Sequence, residues 1–251
     1  MKRCRFSFPM LLGVLLLVVC AGAAQCAILY VRTSGSDLNS GASWAQAKKT
    51  IQAAVNAAVS GDEVWVAAGS YKEKVILEHA VSVLGGFNGT ESLPLQRNWI
   101  TNVTTIDGDN TGGAAVVTVA AETGPTLDGF RITRGAAGGV YVGVGSAPVI
   151  RNNTIIDNSA SLGAGIYCAD QSNPQIYDNI IQSNRATSGR GGGIYCVNCS
   201  ALIYNNTVRA NVAYNGGGIY ALALPPSPDA VVEDFPVIIN NVISGNTGIL
   251  Y

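Results

Sequence analysis

Apolar residues fall into three regimes along the chain. Met10 to Val19 is an unbroken apolar run behind a basic start at Lys2, Arg3 and Arg5. Further on, Trp44, Ala47, Ile51, Ala54, Val55 and Ala58 recur at helical spacing, which predicts one short amphipathic helix over 44–59. Ser43-Trp44-Ala45-Gln46 has the form of a capping box, and Gly61 supplies the stop. Beyond Gly61 the pattern turns to short β-branched pieces bounded by Gly, Asn or Ser: Val64-Trp65-Val66, Val75-Ile76-Leu77 and Val81-Ser82-Val83-Leu84. No second helix of any length is predicted.

The strand pieces belong to an internal repeat. Pro148-Val-Ile-Arg-Asn-Asn153-Thr-Ile-Ile-Asp-Asn158 superimposes without gaps on Pro174 to Asn184, Ala201 to Asn211 and Pro236 to Asn246, with a degenerate copy from Pro125 to Gly135. A Gly-rich strand start stands between copies, at Gly139-Val-Tyr141, Gly165-Ile-Tyr-Cys168, Gly193-Ile-Tyr-Cys196 and Gly218-Ile-Tyr220. From Phe130 through Asn153, Asn179, Asn206 and Asn241 the steps are 23, 26, 27 and 35 residues. The longest step is stretched by Ala221 to Phe235, a loop grafted onto one turn.

A repeat of about 25 residues with three short strands and no helix is one coil of a β-solenoid. Coils stack at about 4.8 Å, so equivalent residues form ladders. Ile150, Ile176, Ile203 and Ile238 make one inward column, Ile155, Ile181, Val208 and Ile243 a second, and Val140, Ile166, Ile194 and Ile219 a third. Three inward columns predict three sheets around one core. Asn153, Asn179, Asn206 and Asn241 sit at one turn, where an amide can bond its neighbour in the next coil. Asn158, Asn184, Asn211 and Asn246 mark the next corner, where Asn tolerates left-handed backbone angles. Both columns read as structural ladders.

These repeats, together with Gly61-Asp-Glu-Val-Trp-Val-Ala-Ala-Gly69, Leu84-Gly-Gly-Phe-Asn-Gly-Thr90 and Thr105-Ile-Asp-Gly108, resemble the right-handed parallel β-helix proteins. Within them the chain is similar to bacterial exported proteins of the pectate-lyase-like superfamily with Asn-rich repeats, over roughly residues 28–251. The resemblance implies an all-β, right-handed, single-stranded parallel β-helix of three sheets and about eight coils with a short N-terminal capping helix. The expected organisation is a signal peptide at 1–24, a cap segment at 25–62 containing helix 44–59, and the β-helix at 63–251, with insertion loops at 86–104 and 221–235. The helix should cover the first coil, burying Trp44 and Ile51 against Val64 and Val66.

Composition narrows the function classes. Only 12% of residues are charged and the formal net charge is −1, which excludes a coiled coil, a basic nucleic-acid binder and a charge-driven disordered tail. The chain's one histidine, His79, argues against a histidine-rich metal centre. No metal, cofactor or nucleic acid is expected. The basic start, the apolar run and the small residues Ala21-Gly22-Ala23-Ala24 predict a cleaved secretory signal, and hence a secreted or cell-surface protein. Membrane contact would follow only from an uncleaved N-terminal segment.

The superfamily contains polysaccharide lyases and glycoside hydrolases, so their chemistry must be sought. Hydrolases of this kind need paired carboxylates, but Asp128, Asp157, Asp170, Asp178, Asp229, Glu233 and Asp234 stand at non-equivalent repeat positions. Asp107 and Asp109 read as a turn. The lyase members use acidic calcium ligands and an arginine base, whereas Arg131, Arg151 and Arg209 lie near coil corners with no stacked acidic trio and read as solvated surface. No catalytic residue is assigned. Cys168 and Cys196 share an inward column as core thiols or a disulfide, and Cys196-Val-Asn-Cys199 offers a small closed loop instead. Cys26 is the fourth cysteine of the expected mature chain.

One surface feature suggests a ligand. Strand alternation sends Tyr141, Tyr167, Tyr195 and Tyr220 outward, with Tyr177 and Tyr204 on the next strand. Such a row either holds an extracellular polysaccharide or surface glycan, or simply covers the sheet. The loop 221–235, with its acidic residues Asp229, Glu233 and Asp234, is the expected wall of the site. The expected role is a non-catalytic exported scaffold, adhesin or glycan-binding module; the alternative is a polysaccharide-active enzyme. The last segment, Asn241 to Tyr251, breaks off where another Gly-Ile-Tyr strand should begin, so further coils or end-to-end self-association are expected.

Overall fold

The computed structural model describes residues 26–222 and 235–249. The signal peptide expected at 1–24 and most of the loop expected at 221–235 lie outside the described residues. Strands are short, from two residues (Ser159–Ala160) to six (Ser82–Phe87), and each pairs in parallel with strands one coil away. A first sheet of eight strands runs from Ile28–Val31 to Val237–Ile239, and a second of seven from Gly69–Lys72 to Val242–Ser244. A third, of six strands, runs from Val75–Leu77 to Ile219–Leu222.

The three inward columns stack in register as expected, Ile150 on Ile176 on Ile203, Ile155 on Ile181 on Val208, and Val140 on Ile166 on Ile194. Each of these side chains is buried, and each isoleucine moved out of water contributes about 2 kcal/mol. In the last described coil the same columns end on Ile238 and Ile243, which are 39% and 50% exposed.

The structure adds a fourth sheet to the three expected. Ser159–Ala160, Arg185–Ala186, Val212–Ala213 and Thr247–Gly248 pair in parallel past the second Asn column. Its inward residues are alanines, Ala186 and Ala213, which pack on Ala164. Two-residue strands with so small an inward side chain leave no apolar signature to read.

Both asparagine columns form the expected ladders, and both are buried through Asn153, Asn179 and Asn206 and through Asn158, Asn184 and Asn211. The left-handed angle expected of the Asn158 column belongs instead to the residue before it, Asp157 (φ 56°), Ser183 (φ 54°) and Ala210 (φ 53°). The same holds one turn earlier at Asn152, Asp178, Asn205 and Asn240. Placing the strain on the preceding residue leaves the ladder Asn aimed inward at the next coil. The glycine column makes room for it: a Cβ on Gly165 would lie 3.1 Å from Asn184 Nδ2 and 2.4 Å from the Gly193 carbonyl oxygen.

The expected helix 44–59 is two pieces, a 3₁₀ turn at Trp44–Gln46 and an α-helix at Ile51–Ala57. Between them Lys48 is extended, donating its N–H to the Tyr30 oxygen and accepting from Arg32, so the first strand captures this stretch. Thr50 caps the α-helix and Ala58 ends it ahead of Gly61. Ile51 joins the core with Val64 and Val66. Trp44 does not; it packs half-buried on the outside of the first sheet with Tyr30, Trp65 and Phe87.

The insertion expected at 86–104 is shorter, because Gly86 and Phe87 finish one strand and Thr104 begins another. Its 88–103 excursion closes on itself at its start and is tied to the coils from its middle. Glu91 accepts from the N–H groups of Asn88, Gly89 and Thr90, while Arg97 donates to the Gly85 oxygen at 3.1 Å and to Asp128 at 2.5 Å.

Candidate functional site

The tyrosines expected to face outward do so on the third sheet, where Tyr141, Tyr167, Tyr195 and Tyr220 occupy in-register positions of adjacent strands. Parallel strands in register carry equal side chains on equal rotamers, so the rings pile up as a ladder. Their centroids are 5.4, 5.0 and 5.6 Å apart and successive planes tilt by 14° at most. The ring normals therefore run along the solenoid axis. Ring faces are covered by neighbours, and what reaches solvent is a row of edges and hydroxyls.

Burial, followed by the neighbouring phenols, pushes the Tyr167 hydroxyl above its ordinary range, so it stays a neutral donor and acceptor. Burial raises Tyr195 as well, against the opposing pull of Arg190. The Arg190 guanidinium lies over the Tyr220 ring at 5.0 Å. Beside the first two rings is a groove of about 310 Å³, walled by Ala136, Ala137, Ser161 and Leu162 and floored by Tyr141 and Tyr167. Asp229, Glu233 and Asp234, of the wall expected from loop 221–235, lie outside the described residues.

The second aromatic pair, Tyr177 and Tyr204, stacks at 4.7 Å on the first sheet. Arg151 donates to the Tyr177 hydroxyl at 3.1 Å and to Asp128 at 2.8 Å, so it is not the solvated arginine expected. Asp128 itself is fully buried and collects Arg97, Arg151 and Asn152. Arg209 pairs with Gln182. Asp107 and Asp109 form the expected turn, and both accept from Arg134. Asp62 and Asp37 accept from backbone N–H groups around the cap, as does Glu73 at the start of the helix. These carboxylates bind the chain to itself.

Among the cysteines, Cys196 and Cys199 are joined in a disulfide with Cα atoms 5.7 Å apart, closing the small loop that the spacing offered. Cys168 is a buried free thiol in register with Cys196, and Cys26 is free and exposed. Burial raises the Cys168 thiol to about 12.

Sequence reading finds the tyrosine row but misses its surroundings. Ala136, Ala137, Ser161 and Leu162 lie in the corners between coils, where nothing repeats, and Arg190 reaches Tyr220 from the neighbouring coil's corner. The signal that bears on them is the Gly-rich corner length, which sets how far a wall projects.

A family model described as a right handed beta helix region matches residues 73–224, more than half of the chain. No curated protein and no solved structure matches it.

Proposed function

The chain belongs to the right-handed β-helix family, and on that footing we propose that it is a non-catalytic, exported or cell-surface scaffold that holds a glycan along its tyrosine row. The observation that carries this reading is the stack itself. Four rings at 5.0–5.6 Å intervals carry their hydroxyls along one face, beside a groove floored by Tyr141 and Tyr167. A polysaccharide chain is a repeating array of hydroxyls, and a repeating array of neutral phenols is its natural complement. Because the ring faces are covered, recognition runs through hydroxyl bonds and edge contacts rather than through flat stacking.

The non-catalytic half of the reading is supported by the work that many of the described carboxylates already do, Asp170 and Asp178 being among the exceptions. Inverting hydrolysis places an acid and a base about 6.5–9.5 Å apart with oxygens free for proton transfer. Here Asp107 and Asp128 are bound to arginines, and Asp37, Asp62, Glu73 and Glu91 to backbone N–H groups. Export follows from the basic start and apolar run of the first residues.

The test is retention without cleavage. Purified mature protein is incubated with soluble plant, algal and bacterial polysaccharides, and both bound polymer and new chain ends are measured. Binding of intact polymer is the expected result; chain ends appearing in proportion to protein would replace this reading with that of a polysaccharide lyase or glycoside hydrolase.

A further inference from the structure

The outer face of the second sheet carries a feature unrelated to the tyrosine row. Thr105, Arg131, Thr154 and Ile180 stack in register along it. The 88–103 excursion folds over beside them and leaves a cavity of about 330 Å³, lined among others by Trp99, Ile100, Arg131, Thr154, Asp178 and Ile180. We propose that this cavity is a second binding site, which takes one ring of a neutral saccharide.

Trp99 is 37% exposed, yet its position is fixed. The Arg97 guanidinium lies under its ring at 4.8 Å, and Arg97 is anchored on the fully buried Asp128. Two glycines let the excursion come this close: a Cβ on Gly86 would lie 2.7 Å from Trp99 Cα, and one on Gly129 would lie 3.1 Å from Trp99 Cβ. An aromatic held half out of the surface by a buried ion pair presents apolar area without an ordering cost on binding.

The polar rim selects the occupant. Arg131 and Asp178 both line the cavity, and among the described residues neither side chain takes part in an ion pair or side-chain hydrogen bond. One offers only donors and the other only acceptors, and their charges cancel. An anion attracted by Arg131 would be repelled by Asp178, and a cation the reverse. A neutral ring of hydroxyls both accepts from the guanidinium and donates to the carboxylate, while its C–H face lies on the indole. The volume is at the small end of the range for ligand pockets, about 300–1,000 Å³, which suits a single ring.

The experiment is a titration followed by amide and indole resonances in proton–nitrogen correlation spectra. The probes are the methyl glycosides of glucose, galactose, mannose and N-acetylglucosamine, with galacturonate as the charged control. At least one neutral glycoside should shift the Trp99 indole N–H saturably, and Trp99→Ala, Arg131→Gln and Asp178→Asn should each weaken that response at least tenfold. Trp99→Ala may not be read alone, since it also frees Arg97; the two rim variants sit on the surface and leave the clamp intact. The site is refuted if no neutral glycoside moves Trp99, if the response survives both rim variants, or if galacturonate binds more tightly than every neutral probe. Occupancy of the tyrosine row would instead shift Tyr167 and Tyr195, so failure at one site is distinguishable from failure at the other.

Discussion

The Asn179 side-chain oxygen accepts the backbone N–H of Asn153 at 3.0 Å and the Asn153 Nδ2 at 3.1 Å. The Asn179 Nδ2 then donates forward to Asn206 Oδ1 at 3.0 Å and back to the Ile150 oxygen at 2.8 Å. Each buried amide therefore serves the coil before and the coil after it. Asp could not replace it, because a carboxylate cannot donate and stacked like charges repel.

Asn179→Ala leaves the buried Asn153 N–H without its acceptor and takes one of two donors from the Ile150 carbonyl, which keeps its bond in the strand ladder. An unsatisfied buried group costs about 1–3 kcal/mol, so the variant should lose about 2 kcal/mol in urea unfolding. Thr207→Ala, on the outward face, should change stability by less than about 0.5 kcal/mol. Equal effects from the two would contradict the ladder's role.

Asp128→Asn should release the 88–103 excursion. It removes the charge that holds Arg97 and Arg151, leaving Arg97 buried without its counter-ion. A cost of about 3 kcal/mol is expected, together with faster proteolysis within 88–103 than elsewhere. A protease pattern identical to that of the wild type would show that the excursion is held by other contacts.

The columns Ile150, Ile176, Ile203 and Asn153, Asn179, Asn206 are legible from sequence because a solenoid writes each contact at a fixed repeat position. Contacts made outside the repeat are not. Asp128 stands in the degenerate coil and its partner Arg97 in an insertion, so no periodicity connects them. The left-handed residues are half legible: Asn152, Asp178 and Asn205 are turn formers, whereas Ser183 and Ala210 carry the same angle with no compositional sign. Trp44 falls on the helical apolar stripe by spacing, but the extended Lys48 turns it to the outside. The tyrosine row is legible by alternation, and the groove beside it is not, since corner residues have no period.

Non-reducing peptide mapping should recover the Cys196–Cys199 bond with Cys168 as a free thiol. With its thiol raised to about 12 by burial, Cys168 should resist alkylation in the folded protein and react on unfolding. A Cys168–Cys196 link between coils would contradict this connectivity.

Acid should weaken the protein in part through Asp107. Burial raises that carboxyl, but the hydrogen bonds from Arg134 and the Asp109 N–H, with the charges of Arg134 and Lys72, hold it below its ordinary value. A carboxyl lowered in the native state stabilises above the unfolded pKa, about 4, and that contribution disappears as the pH falls through the native value. Asp107→Asn should therefore be less stable at neutral pH and lose less on acidification. An unchanged acid slope would remove Asp107 from the account.

The most direct measurement is a glycan array probed with the wild type and with Tyr167→Phe/Tyr195→Phe, which keeps the stacked rings and deletes two hydroxyls. The row of phenols predicts that the wild type binds one or more extended polysaccharides and that the double variant, with unchanged melting temperature, binds them at least tenfold more weakly. Equal binding by the two proteins would contradict recognition along the tyrosine row.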